Sequence, residues 1–213
     1  MVYPIAKIII PAVYNLWLRK VEGIGNIPKD KPFIVAANHA SYYDDLLLHF
    51  IIIPKINKKV HAFVNSTYWK IPIVKNILDY GECIPVFVKK EVDAKKRNEQ
   101  SFKTASDYLK KGDIVQIFPE GMRSRDGILN KAYNGVGRLV IKANMPVLPV
   151  GIIGSNSVLP KGKNFPRFRR CDVKIGELMF FENKKGDEEI LSLKITMQIM
   201  KEIAKLIGQE YNY

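Results

Sequence analysis

Acidic residues are scarce in this chain: 21 Asp and Glu stand against 34 Lys and Arg, for a formal net charge of +13. That balance points to polyanionic partners, namely nucleic acid, anionic lipid, or an acidic substrate or carrier. The sequence holds only two cysteines, Cys83 and Cys171, and three histidines, His39, His49 and His61, with no metal-type spacing among them. No metal site is therefore expected, and both thiols sit in apolar stretches that suit buried, unpaired cysteine. No uninterrupted apolar run reaches the roughly 20 residues a spanning helix needs. The most apolar stretch, residues 1–18, is broken by Lys7 and Pro11 and closed by Arg19 and Lys20. It lacks the basic start and small-residue cleavage site of a signal peptide. No Gly-x-x-x-x-Gly-Lys-Ser/Thr loop and no Gly-x-Ser-x-Gly elbow occurs, and Gly23-Ile24-Gly25 lacks the third glycine of a dinucleotide fingerprint. Aromatic positions suited to base stacking are few, so nucleic acid is not the expected partner.

What remains is an ordinary globular composition, 47% hydrophobic and 26% charged over 213 residues, enough for one domain with a sizeable core. Residues 1–20 are expected to form a membrane-associating helix. Tyr14 and Trp17 beside the basic end suit the membrane interface, although packing against the protein's own core is the alternative. Residues 21–213 read as a single domain of alternating short apolar strands and amphipathic helices. Strands are expected at 32–37, 60–64, 83–88, 113–118, 147–153 and 173–181. Helices are expected from 41 to about 53 and at 71–80, 91–111, 135–143 and 188–207. Such alternation predicts an α/β fold with a mainly parallel central sheet flanked by helices. Ligands in such sheets gather beyond the carboxyl ends of the strands.

Two segments lie just past such strand ends. Asn38-His39-Ala40-Ser41-Tyr42-Tyr43-Asp44 follows the first strand and Phe118-Pro119-Glu120-Gly121-Met122-Arg123-Ser124 follows the fourth. A neutral His39 can take a proton from a hydroxyl that is otherwise too weak a nucleophile. Asp44 can orient the ring, provided the intervening turn folds back; on a continuous helix the two side chains would diverge by about 140°. Asp44 also has a plainer reading, since Ser41-x-x-Asp44 is close to a capping box. Glu120 reads as the residue that positions its turn, and Arg123 and Arg125 offer guanidinium forks for a phosphate monoester. A basic segment, residues 160–170, carries Lys161, Lys163, Arg167, Arg169 and Arg170 with Phe165 and Phe168 interleaved and no acidic residue.

These two strings resemble the signature motifs of the glycerolipid acyltransferases, in particular the 1-acylglycerol-3-phosphate acyltransferases. Val21-Glu22-Gly23 with Ile27-Pro28 resembles that family's lead-in, and Val147-Leu148-Pro149-Val150 its fourth motif; the likeness covers residues 21–150. It implies acyl transfer from acyl carrier protein or coenzyme A to a lysophospholipid hydroxyl, giving phosphatidic acid without a cofactor. His39 would be the base and Asp44 its partner. Glu120, Gly121, Arg123, Ser124, Arg125 and Pro149 would line the substrate. Two departures stand out: Met122 replaces a Thr, and in the family's second motif, which Gly81-Glu82-Cys83-Ile84-Pro85-Val86 resembles, the expected Arg falls on Val88, with Lys89 and Lys90 next. Either Lys89 reaches the site or phosphate binding rests on Arg123 and Arg125. Trp17, Arg167, Arg169 and Arg170 would face an anionic membrane, making the protein monotopic on the cytoplasmic face. Glycerol-3-phosphate or another lysolipid is an alternative acceptor, and a non-enzymatic lipid-binding protein is the alternative class.

Overall fold

The computed structural model describes residues 17–213 except 57, 89, 161, 164 and 183–185. The expected N-terminal helix therefore lies outside the described residues up to position 16, and so does Lys89.

Seven strands form one sheet: β1 Leu18–Glu22, β2 Ile34–Ala37, β3 Val60–Asn65, β4 Ile84–Val86, β5 Ile114–Ile117, β6 Val147–Ile153 and β7 Cys171–Ile175. Their spatial order is β1-β7-β6-β2-β5-β3-β4, and every pairing is parallel except β6 with β7. The helices are α1 Tyr43–Ile52, α2 Pro72–Tyr80, α3 Ala94–Lys110, α4 Gly135–Ala143, α5 Ser155–Val158 and α6 Glu188–Ile207.

The central strands are apolar because both of their faces are covered. Val35 and Ala37 point to one face, where they join Leu47, Leu48, Ile51 and Ile52 of α1 with Leu148, Val150 and Ile152 of β6. Ile34 and Ala36 point to the other, against Leu109 of α3, Leu139 and Val140 of α4, and Ile199 and Ile203 of α6. The α4–α6 crossing is close because Gly137 has no side chain: a Cβ there would stand 2.0 Å from the Ser192 carbonyl oxygen.

Residues 18–20 correct the sequence reading. They continue into β1, an edge strand hydrogen-bonded to β7, rather than closing the N-terminal helix. The stretch Leu18-Arg19-Lys20-Val21-Glu22 covers one apolar side and leaves Arg19 and Lys20 in solvent, as an edge strand allows. The expected strand at 173–181 is shorter and starts earlier, at Cys171. It ends at the tight Gly176, after which only Met179 pairs again, with Val147. The long helix starts at Ala94 rather than residue 91. Asp93 has φ 53°, and Glu91 is held by Ser66 and the Val88 N–H.

Candidate active site

The sheet brings the two sequence motifs together. β2 and β5 are parallel neighbours, so the chain after Ala37 and the chain after Ile117 emerge side by side at one rim. Asn38 fixes the first of them. Its side-chain amide accepts from the Ile152 N–H at 2.7 Å and donates to the Ile152 carbonyl at 2.8 Å, extending the β6 ladder while the chain turns.

His39 follows on this turn, its side chain 13% exposed and its ring stacked on Phe118 at 4.0 Å. Its Nδ1 lies 3.0 Å from Asp44 Oδ2. The same carboxylate oxygen accepts the backbone N–H groups of Ala40 and Ser41, each at 2.7 Å. The orienting and capping readings of Asp44 thus hold at once. The carboxylate reaches back across the start of α1, and the favourable end of the helix dipole keeps the negative charge there. The Ser41 hydroxyl accepts from the Tyr43 N–H at 3.1 Å and donates to the Leu159 carbonyl at 2.9 Å. With Nδ1 directed to Asp44, Nε2 is the nitrogen left for a substrate proton.

Glu120 matches its reading as the residue that positions its turn, not the substrate-lining role the resemblance implies. It is 1% exposed, and its two oxygens are committed within the protein. Oε1 accepts the His39 N–H at 2.8 Å; Oε2 accepts the backbone N–H of Asn130 at 2.7 Å and its side-chain amide at 2.9 Å. Burial pushes the Glu120 carboxyl above its ordinary value, and the Asn130 and His39 hydrogen bonds oppose that shift. Glu120 is therefore a brace between the two motifs. The Ser124 N–H adds a second tie, donating to the His39 carbonyl at 2.8 Å. Ser124 is likewise structural: its buried hydroxyl donates to Asp126 and accepts the Gly127 N–H, both at 2.9 Å.

Gly121 makes the turn at φ 63°, and a Cβ there would stand 3.0 Å from the Tyr133 ring. Its N–H donates to the Phe118 carbonyl at 3.0 Å and closes the turn. The Arg123 guanidinium carbon stands over the Tyr42 ring, 3.4 Å from the centroid, and the Tyr68 hydroxyl donates to the Tyr42 hydroxyl at 2.7 Å. That stacking holds the cation in place beside the His39 turn. Arg125 is exposed two residues further on.

Pro149 does not join this group. It sits within β6 opposite Ala36, on the face carrying α6, with its ring against the Gly176 backbone. Its carbonyl accepts the Gly176 N–H at 2.9 Å, and with no N–H it returns no bond at this end of the β7 ladder. Trp17 is half-buried. It packs edge-on to Tyr43 and donates its indole N–H to the Arg167 carbonyl at 3.0 Å, a docking contact within the protein. Arg167, Arg169 and Arg170 are exposed.

The other histidines are committed elsewhere. His61 is buried, stacked on Tyr108 and 3.1 Å from the Glu82 carbonyl, and His49 Nδ1 lies 2.7 Å from the Asp45 carbonyl. Both cysteines are free, and burial raises Cys83 to about 11 and Cys171 to about 12. Among the described residues no group of His, Cys, Asp and Glu could hold a metal ion. Sequence reasoning missed Asn38, Tyr42, Phe118 and Asn130. Only the polar Asn38 at the end of an apolar strand carried a local signal.

A histidine–aspartate pair on one strand end, braced to an arginine-bearing turn on the next, is the equipment of an acyl-transferring α/β protein. The chain belongs to the Acyltransferase family, whose profile matches residues 19–153. It is 26% identical over 153 residues to the chloroplastic 1-acyl-sn-glycerol-3-phosphate acyltransferase BAT2 of Brassica napus, covering 71% of this chain and 42% of that protein. To the 1-acyl-sn-glycerol-3-phosphate acyltransferase of Bacillus subtilis it is 26% identical, covering 74% of this chain and 72% of that one. Among solved structures, the 1-acyl-sn-glycerophosphate (LPA) acyltransferase PlsC from Thermotoga maritima aligns with a TM-score of 0.65 at 29% identity. That alignment covers 91% of this chain and 74% of the other. The chain spans about two fifths of the length of the plant relatives it matches.

Proposed function

We propose that this chain transfers a fatty acyl group from an acyl thioester to the free hydroxyl of 1-acyl-sn-glycerol-3-phosphate, giving phosphatidic acid. The observation that carries the reading is the His39–Asp44 pair, with Nδ1 engaged at 3.0 Å on the rim it shares with Arg123. The acceptor phosphate docks on Arg123, held by Tyr42, with Arg125 nearby. His39 Nε2 takes the hydroxyl proton as the oxygen attacks the thioester carbon. Asp44 stabilises the imidazolium that forms. The carbon–sulfur bond then breaks, and the imidazolium returns its proton to the departing thiolate. Base, counter-ion and anion clamp are all side chains, so the scheme uses no metal or cofactor. The relatives' names support this acceptor class.

Either acyl carrier protein or coenzyme A would carry the acyl group. Work on amphiphiles places the protein at an anionic membrane surface, peripherally and on the cytoplasmic face. Among the described residues no helix is long and apolar enough to cross a membrane. The test is product analysis. Purified protein is offered labelled acyl-carrier-protein and acyl-coenzyme A thioesters with lysophosphatidic acid, glycerol-3-phosphate and other lysolipids. Labelled phosphatidic acid is expected from lysophosphatidic acid. Transfer only to another acceptor would refute the assignment.

A further inference from the structure

The carboxyl rim of the sheet carries a second exposed feature beside the catalytic turn. After β6 and α5, residues 165–170 lead along this rim into β7, which begins at Cys171. Phe168 is 97% exposed and Phe165 83% exposed. Around them Lys163, Arg167, Arg169 and Arg170 are also exposed, and the segment contains no acidic residue. Two phenylalanines in water are costly for a segment with no need of them in the core, and they mark an interaction site.

Two contacts tie this stretch to the rest of the rim. Leu159, upstream of it, accepts the hydroxyl of Ser41, two residues from His39. Arg167 accepts the indole N–H of Trp17 through its carbonyl and donates its own N–H to the Val158 carbonyl at 2.7 Å. Trp17, the exposed phenylalanines and the cations thus share one rim with the turn that carries His39.

The geometry points to the 165–170 segment as a bilayer-docking element: Phe165 and Phe168 enter the interface of an anionic membrane while the cations meet its headgroups. The assignment rests on the reading of the substrate as a membrane amphiphile and names the residues that bring the site to it. Each cation near an anionic surface contributes on the order of 1 kcal/mol, and buried aromatic surface adds attraction that salt does not screen. An acidic carrier protein would satisfy the cations and leave both phenylalanines without a role, so the bilayer is the better match.

The test uses the full chain. Phe168→Trp is mixed with phosphatidylcholine–phosphatidylglycerol vesicles containing brominated lipid, and indole quenching is compared with the parent, which has only its native tryptophans. Extra quenching is expected. Phe165→Ser/Phe168→Ser should partition onto these vesicles at least about tenfold more weakly. Its unfolding midpoint and its transfer to a water-soluble short-chain acceptor should not change. No added quenching in Phe168→Trp overturns the assignment. A charge reversal at Arg167, Arg169 and Arg170 that weakens capture by acyl carrier protein but not by vesicles also overturns it. So does a double variant that loses stability yet binds vesicles normally, because the phenylalanines would then be packing against residues 1–16. Quenching does not depend on catalysis, so failure of the acyltransferase reading would leave this result standing.

Discussion

Asp44→Asn separates the two duties that one carboxylate performs. The amide oxygen must take the Oδ2 position, because an NH₂ group there would face three donors: His39 Nδ1–H and the Ala40 and Ser41 N–H groups. The NH₂ group is thereby forced into the place of Oδ1, which is buried and has no hydrogen-bond partner, leaving two donors unsatisfied. That desolvation, with the loss of charge-assisted bonds at the helix start, should lower the unfolding free energy by about 1–3 kcal/mol. The effect on catalysis should be larger. A neutral amide cannot stabilise the imidazolium, and neutralising such a carboxylate in a triad costs about 10⁴-fold, or about 5 kcal/mol of transition-state stabilisation. Denaturant unfolding gives the first quantity, and continuous detection of the released thiol gives the second. Ser41→Ala is the control, since it loses a capping bond worth about 1 kcal/mol but keeps the carboxylate. If Asp44→Asn lost stability while turning over within a few-fold of the parent, Asp44 would be a cap and nothing more.

Arg123→Ala should raise KM for the phosphate-bearing acceptor by at least about tenfold and leave KM for the thioester almost unchanged, as for loss of a charged hydrogen-bonding group. Tyr42→Leu, which removes the ring beneath Arg123, should reproduce part of that defect, whereas Tyr42→Phe should not; equal effects of both substitutions would discard the stacking argument. Glu120→Gln should destabilise the fold by about 1–3 kcal/mol, because one of the paired N–H groups then faces an NH₂. Since burial raises the folded-state pKa of Glu120, its contribution to stability is fullest below the unfolded glutamate value and declines as pH rises through the raised one. That slope should vanish in the Gln variant. Gly121→Ala should cost about 1 kcal/mol from its positive φ alone and should slow transfer by displacing Tyr133 or the turn; unaltered kinetics would place the turn outside the site.

Much of this arrangement was legible before any coordinates. Central strands covered on both faces write themselves as short apolar runs, so β2, β5 and β6 and the motifs after them could be placed, and with them the shared rim. Edge elements were harder. β1 has a cation-rich exposed side and adjoins an apolar stretch, so the sequence around Leu18 read as the end of a helix. The roles within the site depended on partners far along the chain. Glu120 reads from its turn as a positioning residue, and only the family resemblance puts it on the substrate; the His39 N–H and Asn130 use both its oxygens, and no local pattern marks Asn130 for this. Ser124 and Pro149 misled for the same reason. A residue type suited to binding substrate is equally suited to holding a loop, and only the fold decides where its polar atoms point.

The central claim is that His39 is the base of an acyl transfer to a lysophospholipid. Single-turnover formation of labelled phosphatidic acid by the parent and by His39→Ala, at equal vesicle occupancy, tests it most directly. The parent should make product from at least one of the two thioesters. The variant keeps the backbone N–H that Glu120 accepts, so it should unfold at nearly the same midpoint and transfer at least about 10²- to 10⁴-fold more slowly. Transfer by His39→Ala at the parent's rate, or no transfer by a folded, vesicle-bound parent from either donor, would contradict the account.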